Sequence, residues 1–284
     1  NKTKSFILMN KKLTFGKVFV MFHNQSAHFV NGITLNVRDK EAMKHFYQDI
    51  LGLNVVNESL SIVHYEIGNM NHFLTLNQIN MGREPLTSEA GLFHLAIKLP
   101  SKTDLADLLV QLSEYTIPVN GGEHETATSI FLEDPEGNGL EFYVDNPMED
   151  WSFENGQVVL ETQPINVPHL LTYVSNEKWQ GIPDESIIGY INLKTIELKR
   201  IKLYYKRFFG LEPSALETNH SVYLSSNGYH QHIVVNNWYS SIKRIENERT
   251  YGLACVDYHY PESTHKRLTG PDGIQFRFNF YKVI

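Results

Sequence analysis

The stretches RDKEAMKHFYQDILGL (residues 38–53) and IELKRIKLYYKRFFGL (residues 196–211) share one pattern and decide the fold. Apolar residues recur in both at spacings of three and four, which is the period of an amphipathic α-helix. Gly52 and Gly210 hold the same place in each stretch, and glycine readily takes the left-handed conformation that ends a helix. The positions expected to be buried are Met43, Phe46, Tyr47 and Ile50 in the first helix and Ile201, Tyr204, Tyr205 and Phe208 in the second.

Strand-like segments surround both helices. Residues 32–37 and 190–195 have alternating character directly before each helix, and short strand-like runs follow it. The same order recurs at residues 92–144, where Ser101 is a candidate N-cap, and a similar unit begins at residue 253 and ends near residue 280. The sequence therefore predicts an α+β chain of four β-α-β-β-β units.

The units suggest two halves joined by a long connection. Residues 27–145 would form the first half and residues 185–284 the second, with two units in each. The crossover at 146–184 contains four prolines and is expected to pack on the surface, with a helix near residues 169–173. Residues 1–26 are expected to form an N-terminal arm, because their lysine-rich start has too short an apolar run for a secretory signal.

Composition excludes several classes of function. The 25 basic and 32 acidic residues give a net charge of −7, which argues against nucleic-acid binding. Every apolar run is far shorter than the ~20 residues that span a bilayer, so no membrane association is expected. The single cysteine, Cys255, rules out an internal disulfide and fits a reducing cytoplasm. A small-molecule substrate is the expected partner, and formation of a homo-oligomer is left open.

Four strings carry a resemblance to a known family. They are FYQDILGL (residues 46–53), GLFHLAIKLP (91–100), LEDPEGNGLEFYVDNP (132–147) and NGYHQHIVVNNW (227–238). With the four repeat units, they resemble the vicinal oxygen chelate superfamily of glyoxalases, bleomycin-resistance proteins and extradiol dioxygenases. Within that superfamily, the chain looks most like the bacterial catechol 2,3-dioxygenase branch. The resemblance implies that the units pair into two cupped mixed β-sheets.

The resemblance also implies a divalent metal on the concave face of a cup. Its ligands come from the first strand and the last strand of each unit. The positions carried over to this chain are Gly32, His94, Tyr190 and Cys255 on the first strands, with Glu141 and Arg277 on the last strands. Arg277 stays positive and cannot bind a cation, and Gly32 has no side chain.

The candidate ligands gather in one cup only if the second unit pairs with the third. That pairing would join His94, Glu141 and Tyr190 with His230 and His232, which lie two residues apart on one strand face. His94, Glu141 and His232 are the expected metal ligands, with Tyr190 as a weaker choice for the third position. His230, His232 and Tyr190 are the candidate catalytic residues.

Two further side chains are expected in the pocket of this cup. Tyr143 faces the concave side because strand residues alternate, and His124 lies on the glycine-rich loop that follows Gly121. A structural turn is the plainer explanation of that loop.

The resemblance favours an extradiol-type dioxygenase that acts on a small aromatic vicinal diol. Imidazole and carboxylate ligands suit Fe(II) or Mn(II), which are favoured here, and also Zn(II) or Ni(II). A glyoxalase-like lyase or isomerase is one alternative. The other alternative is a metal-free small-molecule binding protein with a degenerate site. Tyr190 and Arg277, at two of the ligand positions, favour this alternative.

Overall fold

The structure, a computed structural model, describes residues 22–262 and 265–282. Most of the N-terminal arm expected at residues 1–26 therefore lies outside the described residues. No helix in the described part of the chain is long and apolar enough to cross a membrane.

Residues 22–26 belong to the packed fold, although the sequence assigns them to the arm. Phe22 and His23 are buried, and the Phe22 ring packs on Trp151 and Tyr229. Nε2 of His23 lies 2.7 Å from the backbone oxygen of Gly189. This segment is drawn into the fold because it completes an apolar cluster that the strands leave open.

The first two repeat units follow the predicted order of strands and helices. Their elements are β1 (Phe29–Val37), α1 (Lys40–Lys44), β2 (Asn54–Glu58), β3 (Ile62–Ile67), β4 (His72–Gln78), β5 (Gly91–Lys98), α2 (Lys102–Glu114), β6 (Asn120–Glu123), β7 (Ala127–Glu133) and β8 (Gly139–Asp145). Helix α1 continues into a π-helical turn at His45–Ile50, and Ser101 caps α2 by accepting a hydrogen bond from the Asp104 backbone N–H.

The crossover and the last two units follow. The crossover contains β9 (Phe153–Glu154), β10 (Gln157–Val158), β11 (Gln163–Pro164) and α3 (Val167–Leu170), which runs into a 3₁₀ turn at Leu171–Tyr173. The later elements are β12 (Ile187–Lys194), α4 (Leu198–Phe209), β13 (Glu212–Pro213), β14 (Ser221–Ser225), β15 (Ile233–Asn236), β16 (Gly252–His259), β17 (Lys266–Thr269) and β18 (Gln275–Phe278). The short helix expected near residues 169–173 is present.

The repeat helices end at Gly52 and Gly210, as predicted. Both glycines have positive φ, +77° and +68°, which an L side chain rarely adopts. Asp39 starts α1 by accepting hydrogen bonds from two backbone N–H groups of the first turn.

The buried face of α4 differs by one position from the expected one. Ile201, Tyr205 and Phe209 are almost fully buried, whereas Phe208 is 39% exposed. These three buried residues are four apart, so they form a single row on the helix. Phe208 lies beside that row, where its ring contacts Tyr204 and the guanidinium of Arg207.

The strands form two large mixed sheets, and each sheet combines one unit from each half of the chain. The seven-stranded sheet has the order β17-β18-β16-β1-β4-β3-β2, and the nine-stranded sheet has the order β11-β6-β7-β8-β5-β12-β15-β14-β13. The second unit thus pairs with the third, and the first pairs with the fourth. This confirms the pairing that the candidate ligands predicted.

The junction of the nine-stranded sheet is the antiparallel pair of β5 and β12. Ala96 lies opposite Tyr190, and His94 lies opposite Asn192. Side chains alternate along both strands, so neighbours such as Leu95 point to the other face and enter the main hydrophobic core. The concave face of this sheet therefore carries the candidate site, and its convex face carries the core.

The fourth unit is shorter than predicted. It consists of β16, β17 and β18, with no helix among the described residues of 252–282. Only a few residues separate β16 from β17, too few for a helix that could cover the sheet. Parallel pairing of β16 with β18 still completes the sheet edge.

Gly189 allows a side chain to approach the backbone closely at the junction of the second and third units. It lies at an irregularity in the pairing of β12 with β5. A Cβ atom built there would overlap the hydroxyl of Tyr143, which β8 contributes. That hydroxyl is buried and makes a 2.6 Å hydrogen bond with the hydroxyl of Tyr229. The sheet junction therefore requires a residue without a side chain.

Replacing Gly189 with alanine is expected to lower the free energy of unfolding by roughly 1–3 kcal/mol, because the new methyl group overpacks a closed site. Urea unfolding followed by circular dichroism would measure this loss. Gly91→Ala is the matched control, because the nearest atom to its Cβ would be 3.4 Å away. Equal unfolding midpoints for the two variants would contradict the proposed close approach.

Candidate functional site

A cavity of about 340 Å³ lies on the concave face of the nine-stranded sheet. Its polar lining comes from four strands and the loops beside them. These polar residues include His94, His124, Ser129, Glu141, Tyr190 and Gln231. Five of the residues selected from the sequence, including Tyr143 at the apolar wall, line this one cavity.

Three neighbouring strands place the central side chains. His94 comes from β5 and Tyr190 from β12, with their rings 5.6 Å apart. Glu141 comes from β8, which runs parallel to β5 so that Glu141 lies beside Ala96. The alternation of each strand turns all three side chains into the cavity, as the sequence predicted.

Glu141 is the centre of a hydrogen-bonded group. Its carboxylate is buried, with only 2% of the residue exposed. The Ser129 hydroxyl donates to Oε1 at 2.6 Å, and the Tyr190 hydroxyl donates to Oε2. Nε2 of His94 lies 3.1 Å from the same Oε2.

These contacts determine the ionisation of the group. Burial favours the protonated form of Glu141, but the neighbouring His94 imidazole and the Ser129 and Tyr190 hydroxyls outweigh it and lower the pKa of the carboxyl. Burial, followed by the Glu141 charge, raises the pKa of Tyr190 well above its usual value. Glu141 is therefore an anion at neutral pH and Tyr190 a neutral hydrogen-bond donor.

The donor atoms could hold a divalent cation. Two ligands that each bind an ion at ~2.1 Å and at right angles lie about 3 Å apart, which is the separation of Nε2 of His94 from Oε2 of Glu141. This Nε2 is buried and not aligned with any hydrogen-bond partner among the described residues. The third donor beside them is the phenol of Tyr190. The described part of the chain contains no cluster of three or more His, Cys, Asp or Glu residues placed to bind a metal.

The structure does not bring His230 and His232 into this cavity. Nε2 of His230 lies 2.9 Å from the carboxylate of Asp145. Nδ1 of His232 accepts a hydrogen bond from the Ser226 backbone N–H and lies 3.0 Å from the Ser225 hydroxyl. The expected ligand set of His94, Glu141 and His232 is therefore not assembled. Both histidines precede β15, so the alternation of a regular strand does not apply to them.

The two expected pocket residues do line the cavity. His124 lies at one side, with Nδ1 3.2 Å from the backbone oxygen of Glu161. Tyr143 forms part of the floor, where its ring packs 5.5 Å from that of Tyr190. The sequence reading does not find Ser129, although the alternation of β7 was a usable signal: Ile130 and Leu132 enter the core, which leaves Ser129 and Phe131 on the cavity face.

His232 belongs instead to a group of buried histidines behind the cavity. The ring of His23 lies 4.6 Å from that of His232 and 6.4 Å from that of His72. Burial lowers the pKa of His23 to about 3 and also lowers the pKa of the other two. These imidazoles are therefore neutral in the folded chain.

The free energy of unfolding is expected to fall as pH drops below about 6.5, the pKa of histidine in an unfolded chain. The unfolded state binds protons that the folded state excludes, so acid favours unfolding. For His23 the loss amounts to roughly 1.4 kcal/mol per pH unit between pH 6.5 and its folded pKa of about 3. Urea titrations from pH 7.5 to pH 4.5 would measure the slope.

His23→Phe should reduce this slope by roughly 1.4 kcal/mol per pH unit, while His72 and His232 still contribute to it. His265→Phe, at an exposed position, is the matched control. Carboxylates contribute mainly below about pH 4, outside most of this window. A slope that is the same in His23→Phe and in the unmodified chain would contradict the assignment.

A family model described as the glyoxalase/bleomycin resistance protein/dioxygenase superfamily matches residues 27–142. A catechol-2,3-dioxygenase of Bacillus subtilis strain 168 is 30% identical over 207 residues, which cover 72% of this chain and 73% of the relative. Biphenyl-2,3-diol 1,2-dioxygenase 3 of Rhodococcus globerulus is 32% identical over 140 residues, or 46% of this chain and 70% of the relative.

Solved structures show the same fold. A candidate dioxygenase from Bacillus subtilis superposes with a TM-score of 0.62 at 13% identity and covers 89% of this chain and 85% of its own. The cppA protein of Streptococcus pneumoniae superposes with a TM-score of 0.53 at 10% identity, over 89% and 99% of the two chains. At these identities the likeness concerns the fold alone.

Proposed function

Because the chain belongs to the glyoxalase/bleomycin resistance protein/dioxygenase superfamily, we propose that it is a metal-dependent extradiol-type dioxygenase. The proposed substrate is a small aromatic vicinal diol, as in the names of both dioxygenase relatives. One observation carries the proposal: His94 and Glu141 meet at 3.1 Å inside a cavity, at positions that hold metal ligands in this family.

His94, Glu141 and Tyr190 would hold the metal, for which the family implies a divalent ion. Fe(II) or Mn(II) suits this nitrogen and oxygen donor set, and Zn(II) or Ni(II) is the alternative. The chemistry that such an ion supplies is Lewis-acid polarisation of the two diol oxygens. The phenol of Tyr190 occupies the position at which a second histidine would complete a set of two histidines and one carboxylate.

The side chains of the cavity would orient the metal ligands and surround the substrate. Ser129 fixes Oε1 of Glu141, which directs Oε2 toward His94 and Tyr190. Glu141 Oε2 accepts the hydrogen bond from the Tyr190 hydroxyl and so holds that phenol beside His94. The apolar wall around Tyr143 and Val234 limits water near the ring of a substrate.

Protein purified without chelator is expected to contain stoichiometric Fe or Mn and to consume O2 with catechol. Glu141→Gln and His94→Ala should lose both properties, because each removes a donor. Elemental analysis and an oxygen electrode would measure them. Glu133→Gln, at the exposed last residue of β7, is the matched control.

If both Glu141→Gln and His94→Ala retained the metal, the metal would not be bound at this site. Zinc or nickel without oxygen consumption would favour the glyoxalase-like lyase.

Substitutions at Tyr190 test the third donor. Tyr190→His would complete a set of two histidines and one carboxylate, so it should bind Fe(II) at least as tightly as the unmodified chain. Tyr190→Phe removes the donor and should weaken metal affinity by more than the roughly tenfold typical of lost partners around a ligand shell. Competition with a coloured chelator would measure both affinities. Equal affinities for the two variants would show that residue 190 is not a ligand.

A specific observation favours a second candidate, a metal-free small-molecule binding protein. Both carboxylate oxygens of Glu141 already accept hydrogen bonds, from Ser129 and Tyr190, so its buried charge is satisfied without a cation. Absence of bound metal after loading with Fe(II), Mn(II), Zn(II) and Ni(II) would support this candidate over the dioxygenase.

A further inference from the structure

The concave face of β12 continues from the cavity to its opening. Tyr190 and Asn192 line the inner cavity, and Lys194 follows about 7 Å further along the strand. Lys194 lines an outer depression of about 920 Å³ that also contains His94. His94 therefore separates the inner cavity from this depression, and a molecule bound at His94 would extend toward Lys194.

A second cation lies beside Lys194. Lys194 also lines a separate narrow recess of about 130 Å³. Arg244 borders this recess next to Gly91, which pairs with Lys194 in the sheet. Nη1 of Arg244 is 3.4 Å from the place where a Cβ of Gly91 would stand. The other guanidinium nitrogens donate to the side chain of Asn247 and the backbone oxygen of Tyr251, both uncharged.

The carboxylates of this recess are already paired with other cations. Glu84 and Glu136 form ion pairs with Arg38, and Glu89 forms a two-point ion pair with Arg83 at 2.8 Å. The remaining two cations of the recess form no ion pair with any described residue.

The carboxylates of the outer depression are also distant or engaged. Glu133 is the exposed last residue of β7, three strands from β12, or roughly 14 Å away. Asp134 is buried and accepts hydrogen bonds from Tyr47 and Asn138.

Both cations bear the cost of partial burial, and the charge of Glu89, which is paired with Arg83, offsets that cost only in part. Burial and the charge of Arg244 lower the pKa of Lys194. Burial lowers the pKa of Arg244 to about 10, so the guanidinium remains charged at neutral pH. An unpaired cation held out of water is unfavourable, and an anion that entered the recess would relieve this cost.

We propose that Lys194 and Arg244 form an anion subsite at the mouth of the cavity, which selects an aromatic diol that carries a carboxylate. That the substrate is a diol rests on the proposed function. That it carries a carboxylate rests on the recess alone. The diol oxygens would lie at His94 and Glu141, and the carboxylate would point outward to Lys194. Arg244 also supports its own loop, so Lys194 is the residue to test.

Turnover of catechol and of 3,4-dihydroxybenzoate tests the subsite. Lys194→Met is expected to raise KM for 3,4-dihydroxybenzoate about tenfold or more, the loss typical of a charged hydrogen bond, and to leave KM for catechol within about twofold. Lys194→Arg should retain the preference. Lys194→Glu should reverse it in favour of a catechol that carries an ammonium group. An equal change in KM for both diols would overturn the proposal.

Binding without turnover separates the subsite from the reaction. Calorimetry with benzoate and uncharged benzamide is expected to show that the unmodified chain prefers benzoate and that Lys194→Met does not. Lys199→Met, on the exposed side of α4, is the matched control and should keep the preference. If no diol is turned over but benzoate is preferred, the dioxygenase proposal fails and the subsite stands. If diols are turned over and benzoate is not preferred, only the subsite fails. Thermal unfolding of each variant confirms that it is folded.

Discussion

The antiparallel pairing of β5 with β12 is the constraint on which the rest of the molecule depends. It places Ala96 opposite Tyr190 and Leu95 opposite Ile191. A slip by one residue would exchange the two faces, because side chains alternate along a strand. Leu95 and Ile191 are fully buried in the core, so such a slip would expose them in the cavity. The register is therefore fixed by the hydrophobic core, and the cavity takes its side chains from the positions that remain.

The two sheets are built alike but differ in what their concave faces hold. In the seven-stranded sheet, Arg277 binds Asp257 through two nitrogens, each at 2.7 Å from a carboxylate oxygen. The side chain of Tyr281 covers this pair and lies so close to Gly32 that no larger residue would fit there. A guanidinium and an aromatic ring thus fill the space that a cavity occupies in the other sheet. Because this cup is already filled, the proposed cation site falls in the other one.

Sequence reasoning succeeded where regular periodicity applied. The hydrophobic periodicity predicted that the repeat helices end at Gly52 and Gly210, and it predicted the strand faces of His94 and Glu141. The distribution of candidate ligands predicted the pairing of the second unit with the third. Sequence reasoning failed where the chain leaves regular structure. His230 and His232 lie before β15, and their side chains contact Asp145 and Ser225, respectively, instead of entering the cavity. Such contacts depend on how separate segments meet, which residue spacing does not encode.

Tyr190 decides how this cavity can accommodate a cation. Glu141 would be costly to bury as an unpaired anion, and hydrogen bonds from Ser129 and Tyr190 already stabilise it. A divalent cation bound by one carboxylate and one phenolate would leave the group without net charge, the arrangement that burial penalises least. The phenol must lose its proton to reach that state, whereas a neutral imidazole would bind the cation without deprotonation. A tyrosine ligand at this position would therefore couple cation binding to the release of a proton from the cavity.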